Sequence, residues 1–388
     1  MCEAIRKMEL ISIIIATYGT IGLKYVKSCV HSILKNTKYP RYEIIIVNYG
    51  TSEKLTLECL LNSNSNVTDV PILILNIPRN LGYSGANNLG LKHARGEYIV
   101  LLNNDTRVTK GWLTRLYETL KSDDLIIAVQ SKLRLMDFPD RIDSVGHTIN
   151  PLGFLRAKGY LEKDVGQYDE QLDICVIQPA SCIMRREALE NIGLFDELFF
   201  WGHEDTDFSL RARICGYKLV LEPRSIVYHR RSPTISQAEE EFIIYYSRRN
   251  MLMTMIKNYE MKTLFIILPV HLFLILVMSL WYLFRRKPNR KLKPLNKKSL
   301  EASKRLSCFM SVVYALIWIL KNMRVIIKGR YAVQSMRKIS DKELFKVMDR
   351  IDFHRIIKSK KYGSLMKLHL ELAKIPITLL RNDCPSLM

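Results

Sequence analysis

Two periods of apolar and polar alternation run through this chain, and the switches between them set the expected elements. Leu10–Ala16 is a near-continuous β-branched run, the mark of a strand covered on both faces. Ile21–Asn36 then carries apolar residues at helical spacing. Tyr42–Val47 reads as a second buried strand, Ile72–Leu75 as a third and Glu97–Leu102 as a fourth. Between the third and fourth lies a helical stretch, Ala86–Ala94, entered through the turn Gly82–Gly85. This rhythm predicts an α/β fold, a mostly parallel sheet flanked by helices. Farther on, Phe208–Cys215 reads as a helix ended by Gly216. Lys218–Glu222 and Ile226–His229 follow as strands, and Gln237–Glu260 as a long helix. Two apolar runs come next: Leu264–Phe284, 21 residues without Asp, Glu, Lys or Arg, and Leu306–Leu320, 15 residues. The tail from Tyr331 reads as basic amphipathic helices.

Composition narrows the class. The 388 residues are 48% apolar and 25% charged, ordinary globular usage that excludes a disordered chain and a small disulfide scaffold. The eight cysteines are scattered and form no C-x-x-C pair, so neither a zinc site nor a disulfide framework is expected, and a reducing compartment is. The first apolar run is short and reads as a buried strand rather than a secretory signal.

The net charge of +21 is unevenly placed. Residues 1–235 hold 29 Lys and Arg against 27 Asp and Glu, whereas residues 236–388 hold 30 against 11. The basic part flanks the most apolar part, which points to an anionic membrane surface and away from nucleic acid. Leu264–Phe284 is long enough to cross a bilayer, although Pro269 and His271 interrupt it. A single crossing would separate the α/β domain from the ten basic residues of Arg285–Arg305, which the positive-inside tendency assigns to the cytoplasm. Both conditions are met if the two apolar runs lie in one leaflet without crossing. The expected organisation is an α/β domain over 1–250 on the cytoplasmic side of the cell membrane, apolar membrane-associated helices with a basic linker over 251–327, and a basic helical tail over 328–388.

Ligands of parallel sheets bind outside the carboxyl ends of the strands. Four turns stand there: Ala16–Gly19, Asn48–Ser52, Arg79–Gly82 and Asn103–Thr106, each polar, small or acidic. A second block, Phe195–Asp207, mixes aromatic residues with carboxylates at the start of a helix, where acids also suit the helix dipole. His229, Arg230 and Arg231 end the last strand. Asp105 supplies a hard oxygen ligand of the kind Mg²⁺ or Mn²⁺ takes.

The run Asn80-Leu-Gly-Tyr-Ser-Gly-Ala-Asn-Asn-Leu-Gly90, then Ala94-Arg-Gly-Glu-Tyr98, then Leu102-Asn-Asn-Asp-Thr106, resembles glycosyltransferase family 2, in particular its rhamnosyltransferase-like members. Gly193–Glu197, His203–Asp207 and Arg211–Arg213 are similar to that family's acceptor-side and acid motifs, and the resemblance covers roughly residues 9–250. It implies a GT-A fold, a nucleotide-sugar donor, a divalent cation and an inverting hexosyl transfer. By the same resemblance Thr17 and Tyr18 meet the nucleotide, Asn48 stands where an Asp usually receives the base, and Asn80, Gly82, Asn88, Asn103 and Asn104 line the sugar and phosphate pocket. Asp105 and His229 become the metal ligands, with Asn103 replacing the first acid of the Asp-x-Asp motif. Asp205 becomes the general base; Glu204 and Asp207 stand near enough to share that assignment, and a cluster of acids raises at least one pKa by repulsion. Trp201 becomes an acceptor-side or secondary residue; Arg248 and Arg249, at the end of the domain, are placed to meet a diphosphate on donor or acceptor and are equally suited to lipid headgroups. Asn48 leaves the donor nucleotide open between uridine, thymidine and guanosine forms.

The function this implies is transfer of a sugar onto a hydroxyl of a lipid-linked saccharide or cell-envelope glycan. A nucleotidyltransferase would place a lysine- and glycine-rich loop after the first strand, which Ala16–Gly22 does not supply. A non-catalytic nucleotide-sugar-binding or membrane scaffold is the alternative, in which Asn48 and Asn103 mark lost chemistry; retention of Asp105, Asp205 and His229 argues against it.

Overall fold

In the computed structural model, which describes residues 8–61, 69–231, 239–284 and 297–349, the apolar runs Leu10–Ala16, Tyr42–Val47 and Glu97–Leu102 form buried strands. Ile72–Leu75, expected as a buried strand, instead stands at the edge of the sheet and is only partly buried. The chain opens with β1 (Ile11–Tyr18), α1 (Gly19–Asn36), β2 (Tyr42–Tyr49), α2 (Leu57–Leu60), β3 (Ile72–Ile77) and α3 (Gly82–His93). It continues with β4 (Tyr98–Leu102), β5 (Thr106–Val108), α4 (Trp112–Lys121), β6 (Ile126–Leu135), β7 (Ile142–Ser144), β8 (His147–Ile149), β9 (Leu155–Ala157) and β10 (Leu172–Asp173). Then come β11 (Ser181–Arg185), α5 (Arg186–Ile192), α6 (Glu204–Ile214) and β12 (Lys218–His229). Five helices close it: α7 (Glu240–Asn258), α8 (Met261–Phe284), α9 (Lys297–Lys321), α10 (Met323–Ser335) and α11 (Asp341–Leu344).

One mixed sheet runs in the order β10-β12-β6-β11-β4-β1-β2-β3, with β5 on β12 and β7 on β6. β1 is parallel to β2 and β4, β2 to β3, and β6 to β12, while β11 enters antiparallel between β4 and β6. Alternation along β1 sends Ile11, Ile13 and Ile15 into a core with Val26, Val30 and Trp112, and Ile14 into a second core with Ile45, Ile99 and Phe208. A strand with both faces covered needs the continuous apolar run that this one has.

Several boundaries differ from the sequence expectation. The helix expected from Phe208 begins at Glu204, so Glu204, Asp205 and Asp207 fall inside its first turn, where unsatisfied N–H groups favour carboxylates. Lys218–Glu222 and Ile226–His229 are one strand, β12, whose register shifts between Glu222 and Ile226, around Pro223, which has no N–H to give a ladder. The helix expected from Ala86 begins at Gly82. The antiparallel insert β11 and the short strands β7 to β9 carry no clear period and were not expected.

The boundary at 250 falls within α7, a continuous helix. A third core joins Leu152, Phe199 and Leu210 of the α/β part with Leu252, Leu264, Ile319, Ile326 and Val333 of the C-terminal helices. Among the described residues no single helix is long and apolar enough to cross a membrane; α9 from Leu306 and α10 meet at a 68° bend. Most of the expected basic linker, and the tail beyond 349, lie outside the described residues.

Candidate active site

The carboxyl ends of β1, β2 and β4 open into a cleft of about 980 Å³, closed on its far side by the loop before α6 and the start of α7. Tyr18 and Tyr49, paired in register across β1 and β2, line it with ring centroids 5.3 Å apart. Asn80 donates to the Tyr18 hydroxyl at 3.4 Å and accepts from Gly82 N at 3.0 Å. Gly82 is required here: its φ is +66°, and a Cβ would stand 2.4 Å from the Phe200 carbonyl, which receives the Tyr83 N–H at 2.8 Å. That close approach ties the start of α3 to the loop carrying Trp201. Thr17 is fully buried behind the wall and accepts from Asn104 Nδ2 at 2.8 Å.

Asp105 and His229 meet because β5 pairs with β12, setting Thr106 opposite His229. Asp105 Oδ1 lies 3.4 Å from His229 Nε2, and Asn103 Nδ2 lies 3.5 Å from the same nitrogen. On its other side His229 Nδ1 is 2.7 Å from Asp143 Oδ2. Burial works against the imidazolium, but Asp105 and Asp143 outweigh it and push His229 up to about 10. A carboxylate oxygen and an imidazole nitrogen converging on one spot suit Mg²⁺ or Mn²⁺. Among the described residues no third His, Cys, Asp or Glu joins them, so a cation held here would draw its other ligands from a donor diphosphate or water. Binding it would displace the proton from His229.

Across the cleft stand the acids at the start of α6. Asp205 Oδ1 accepts from Thr206 N at 2.7 Å and from the Thr206 hydroxyl at 3.2 Å, and its Oδ2 lies 3.7 Å from His147 Nδ1. Burial alone would raise Asp205, yet His147 and His203 hold it below the usual carboxylate range. Glu204 is pushed well up by burial and by the Asp205 charge. Two adjacent acids are thus held apart in proton affinity, one ionised and one neutral near pH 7, the pattern by which a base is told from an acid. Glu204 Oε2, His147 Nδ1 and Gln178 Oε1, all on residues lining the cleft, are buried without hydrogen-bond partners among the described residues. Orphaned polar atoms of this kind mark where a ligand's hydroxyls would fit. Phe200, Trp201 and Phe242 form the apolar rim, Trp201 and Phe242 with centroids 5.3 Å apart.

Not every residue singled out from the sequence reaches the cleft. Asp207 faces away: it accepts from Arg211 Nε at 2.8 Å, Lys257 Nζ at 3.1 Å and Asn258 Nδ2 at 2.9 Å, a buried clamp between α6 and α7. Asn88 donates to Phe195 O at 2.8 Å, holding α3 to the loop after α5. Asn48 donates to Glu53 O and Asn76 Oδ1 at 2.8 and 2.7 Å, while its Oδ1 is buried with no partner among the described residues. Arg249 donates to Leu198 O and Phe199 O at 2.7 and 2.8 Å and lies over Tyr246 and Trp318. Arg248 is buried and is not part of the cleft wall. In turn His147, Asp143 and Gln178 take part without having been singled out from the sequence, and Arg231, noted there only for its place at the end of the last strand, lines the cleft. His147 and Asp143 sit in Asp143-Ser-Val-Gly-His147, which carries no period or spacing signal.

Residues 12–193 match Glycosyl transferase family 2. The O-antigen biosynthesis protein RfbC of Myxococcus xanthus is 26% identical over 226 residues, 55% of this chain and 17% of that protein. The uncharacterized glycosyltransferase YwdF of Bacillus subtilis is 27% identical over 204 residues, 52% of this chain and 67% of that one. A structure of GalNAc-T7 with UDP, GalNAc and Mn²⁺ superposes with TM-score 0.53 over 82% of this chain and 57% of that chain, at 16% identity, a likeness of fold alone.

Proposed function

We infer that this chain, whose residues 12–193 are a glycosyl transferase family 2 domain, transfers a hexosyl group with inversion from a nucleotide-sugar to a hydroxyl of a lipid-linked saccharide or cell-envelope glycan. The observation that carries this reading is the split pair Glu204 and Asp205 facing Asp105 and His229 across one cleft. In a single displacement the acceptor oxygen forms its bond to the anomeric carbon as the bond to the diphosphate breaks. The electron pair leaves with the diphosphate, and the hydroxyl proton passes to ionised Asp205. Neutral Glu204 keeps a proton to donate to a sugar oxygen. Asp105 and His229 would hold a divalent cation, which supplies charge neutralisation to the leaving diphosphate. Tyr18 and Tyr49 give the nucleotide a ring surface, and Trp201 and Phe242 give the acceptor one.

The O-antigen role named for RfbC supports a cell-envelope acceptor, and the excess of basic charge beside α8 and α9 supports a membrane surface, with the domain on its cytoplasmic side. The expected result for Asp205→Asn is a loss of turnover of about 10²–10⁴-fold, the usual worth of a general base, with nucleotide binding intact in calorimetry. Wild-type turnover in that variant would overturn the assignment; a protein that binds nucleotide-sugar but transfers nothing from any donor would be a scaffold.

A further inference from the structure

Arg231 lines the cleft two residues after His229, with a backbone φ of 63° that residues other than glycine rarely adopt. Non-glycine residues held this way persist where surrounding contacts over-determine them, and they cluster at ligand clamps. Here the contacts are explicit. Arg231 Nε donates to Asp143 Oδ1 at 2.6 Å, and the guanidinium lies over the Tyr160 ring, 3.7 Å from its centroid. Asp143 is fully buried, and its other oxygen is the one bound to His229 Nδ1. One carboxylate therefore orients both a ligand of the cation position and a guanidinium on the same wall. Among the described residues Nε is the only atom of the Arg231 side chain that is hydrogen-bonded, and 38% of that side chain is exposed. The two Nη groups remain, the half of the fork that matches a pair of phosphate oxygens.

We propose that Arg231 grips the diphosphate of the donor, and that Asp143 is a positioning residue that orients Arg231 toward that diphosphate and His229 toward the cation position. This rests on the nucleotide-sugar reading above. The geometry separates it from a plain surface ion pair. A guanidinium that only neutralised Asp143 would gain nothing from a stacked, left-handed backbone position on a cleft wall. Fixing the plane of the guanidinium in advance reduces the ordering that binding would otherwise require.

The test is calorimetric titration of the full chain with UMP, UDP, GMP, GDP, dTMP and dTDP, each with and without Mn²⁺. Wild type is expected to prefer one diphosphate over its monophosphate. Arg231→Gln is expected to lose about 10–100-fold of the diphosphate affinity, the range of one hydrogen bond to a charged group, while the monophosphate affinity stays unchanged and reports an intact fold. Arg231→Lys keeps the charge without the fork and falls between them. Asp143→Asn is expected to lower diphosphate affinity and its Mn²⁺ dependence together. An Arg231→Gln variant with the wild-type preference for diphosphate overturns the proposal and leaves the enzyme reading standing. A wild type that binds no nucleotide under any condition overturns both.

Discussion

Glu204 and Asp205 are neighbours whose surroundings drive their protons in opposite directions. Asp205 has His147, His203 and the Thr206 N–H beside it; Glu204 has burial and a charged neighbour. The raised Glu204 makes stability depend on pH with a definite sign. Above its ordinary value of 4.5 an unfolded chain releases this proton, while the folded chain retains it until its own, higher value is passed. Native protein then binds more protons than unfolded protein, and stability falls as pH rises through that window. Glu204→Gln keeps a neutral group of similar shape, so its melting temperature is expected to exceed that of wild type at pH 8 and to approach it near pH 4. Equal melting temperatures across the whole range would show Glu204 to be ionised in the fold. His147 Nδ1 lies 3.7 Å from Asp205 Oδ2 and helps hold that carboxyl down, so His147→Gln is expected to shift the acid limb of the kcat/KM profile upward, toward an ordinary carboxylate.

At the scale of elements, α6 divides its acids between two tasks. Successive helical residues turn by about 100°, so Asp207 points about 200° around from Asp205. One side meets the cleft, the other meets Lys257 and Asn258 on α7. Asp207→Asn leaves the Lys257 and Arg211 cations with less compensation in the interior and is expected to cost roughly 3 kcal/mol, measured as a lowered urea midpoint. In the protein that remains folded, the pH profile of turnover should match wild type. A shifted profile would give Asp207 a part in the chemistry. The turns at the strand ends were largely legible in the sequence, because Ala16–Gly19, Asn48–Ser52 and Asn103–Thr106 are contiguous polar, small or acidic runs after apolar ones; the turn expected at Gly82–Gly85 is instead the first turn of α3. Asp143 and His147 were not, because they arrive through β7 and β8, three-residue strands whose place depends on pairing with β6 and β9. Stretches that short show no period to read.

Across the whole molecule, the C-terminal helices are both packed and exposed. On α8 His271 is buried, with Nδ1 2.9 Å from Leu152 O, while Phe265 and Leu276 remain 75% and 54% exposed. Leu306 and Leu320 on α9 are also exposed. Ile244, two residues from Phe242 of the cleft rim, packs with Ile275, Cys308 and Val312 of α8 and α9. Helix α7 thus carries the cleft rim at Phe242 and anchors α8 and α9 through Ile244. The full chain is expected to sediment with phosphatidylglycerol vesicles, less with phosphatidylcholine vesicles, and less again as salt is raised. Phe265→Glu with Leu276→Glu should reduce binding to both lipids. Sedimentation with neither lipid would remove the membrane from the reading.

The sequence by itself determined the alternation of strands and helices, the polar turns at the strand ends and the uneven placing of charge. These depend on neighbours in the chain, through side-chain period and backbone preference. Only the tertiary structure decided that Asp205 faces the cleft and Asp207 the interior, that Asn88 and Arg249 are spent on holding loops, and that Asp143 reaches both His229 and Arg231. Those roles depend on which groups stand opposite once strands far apart in sequence have paired. A residue's type restricts the chemistry open to it, and its partners across the sheet select which of those it performs.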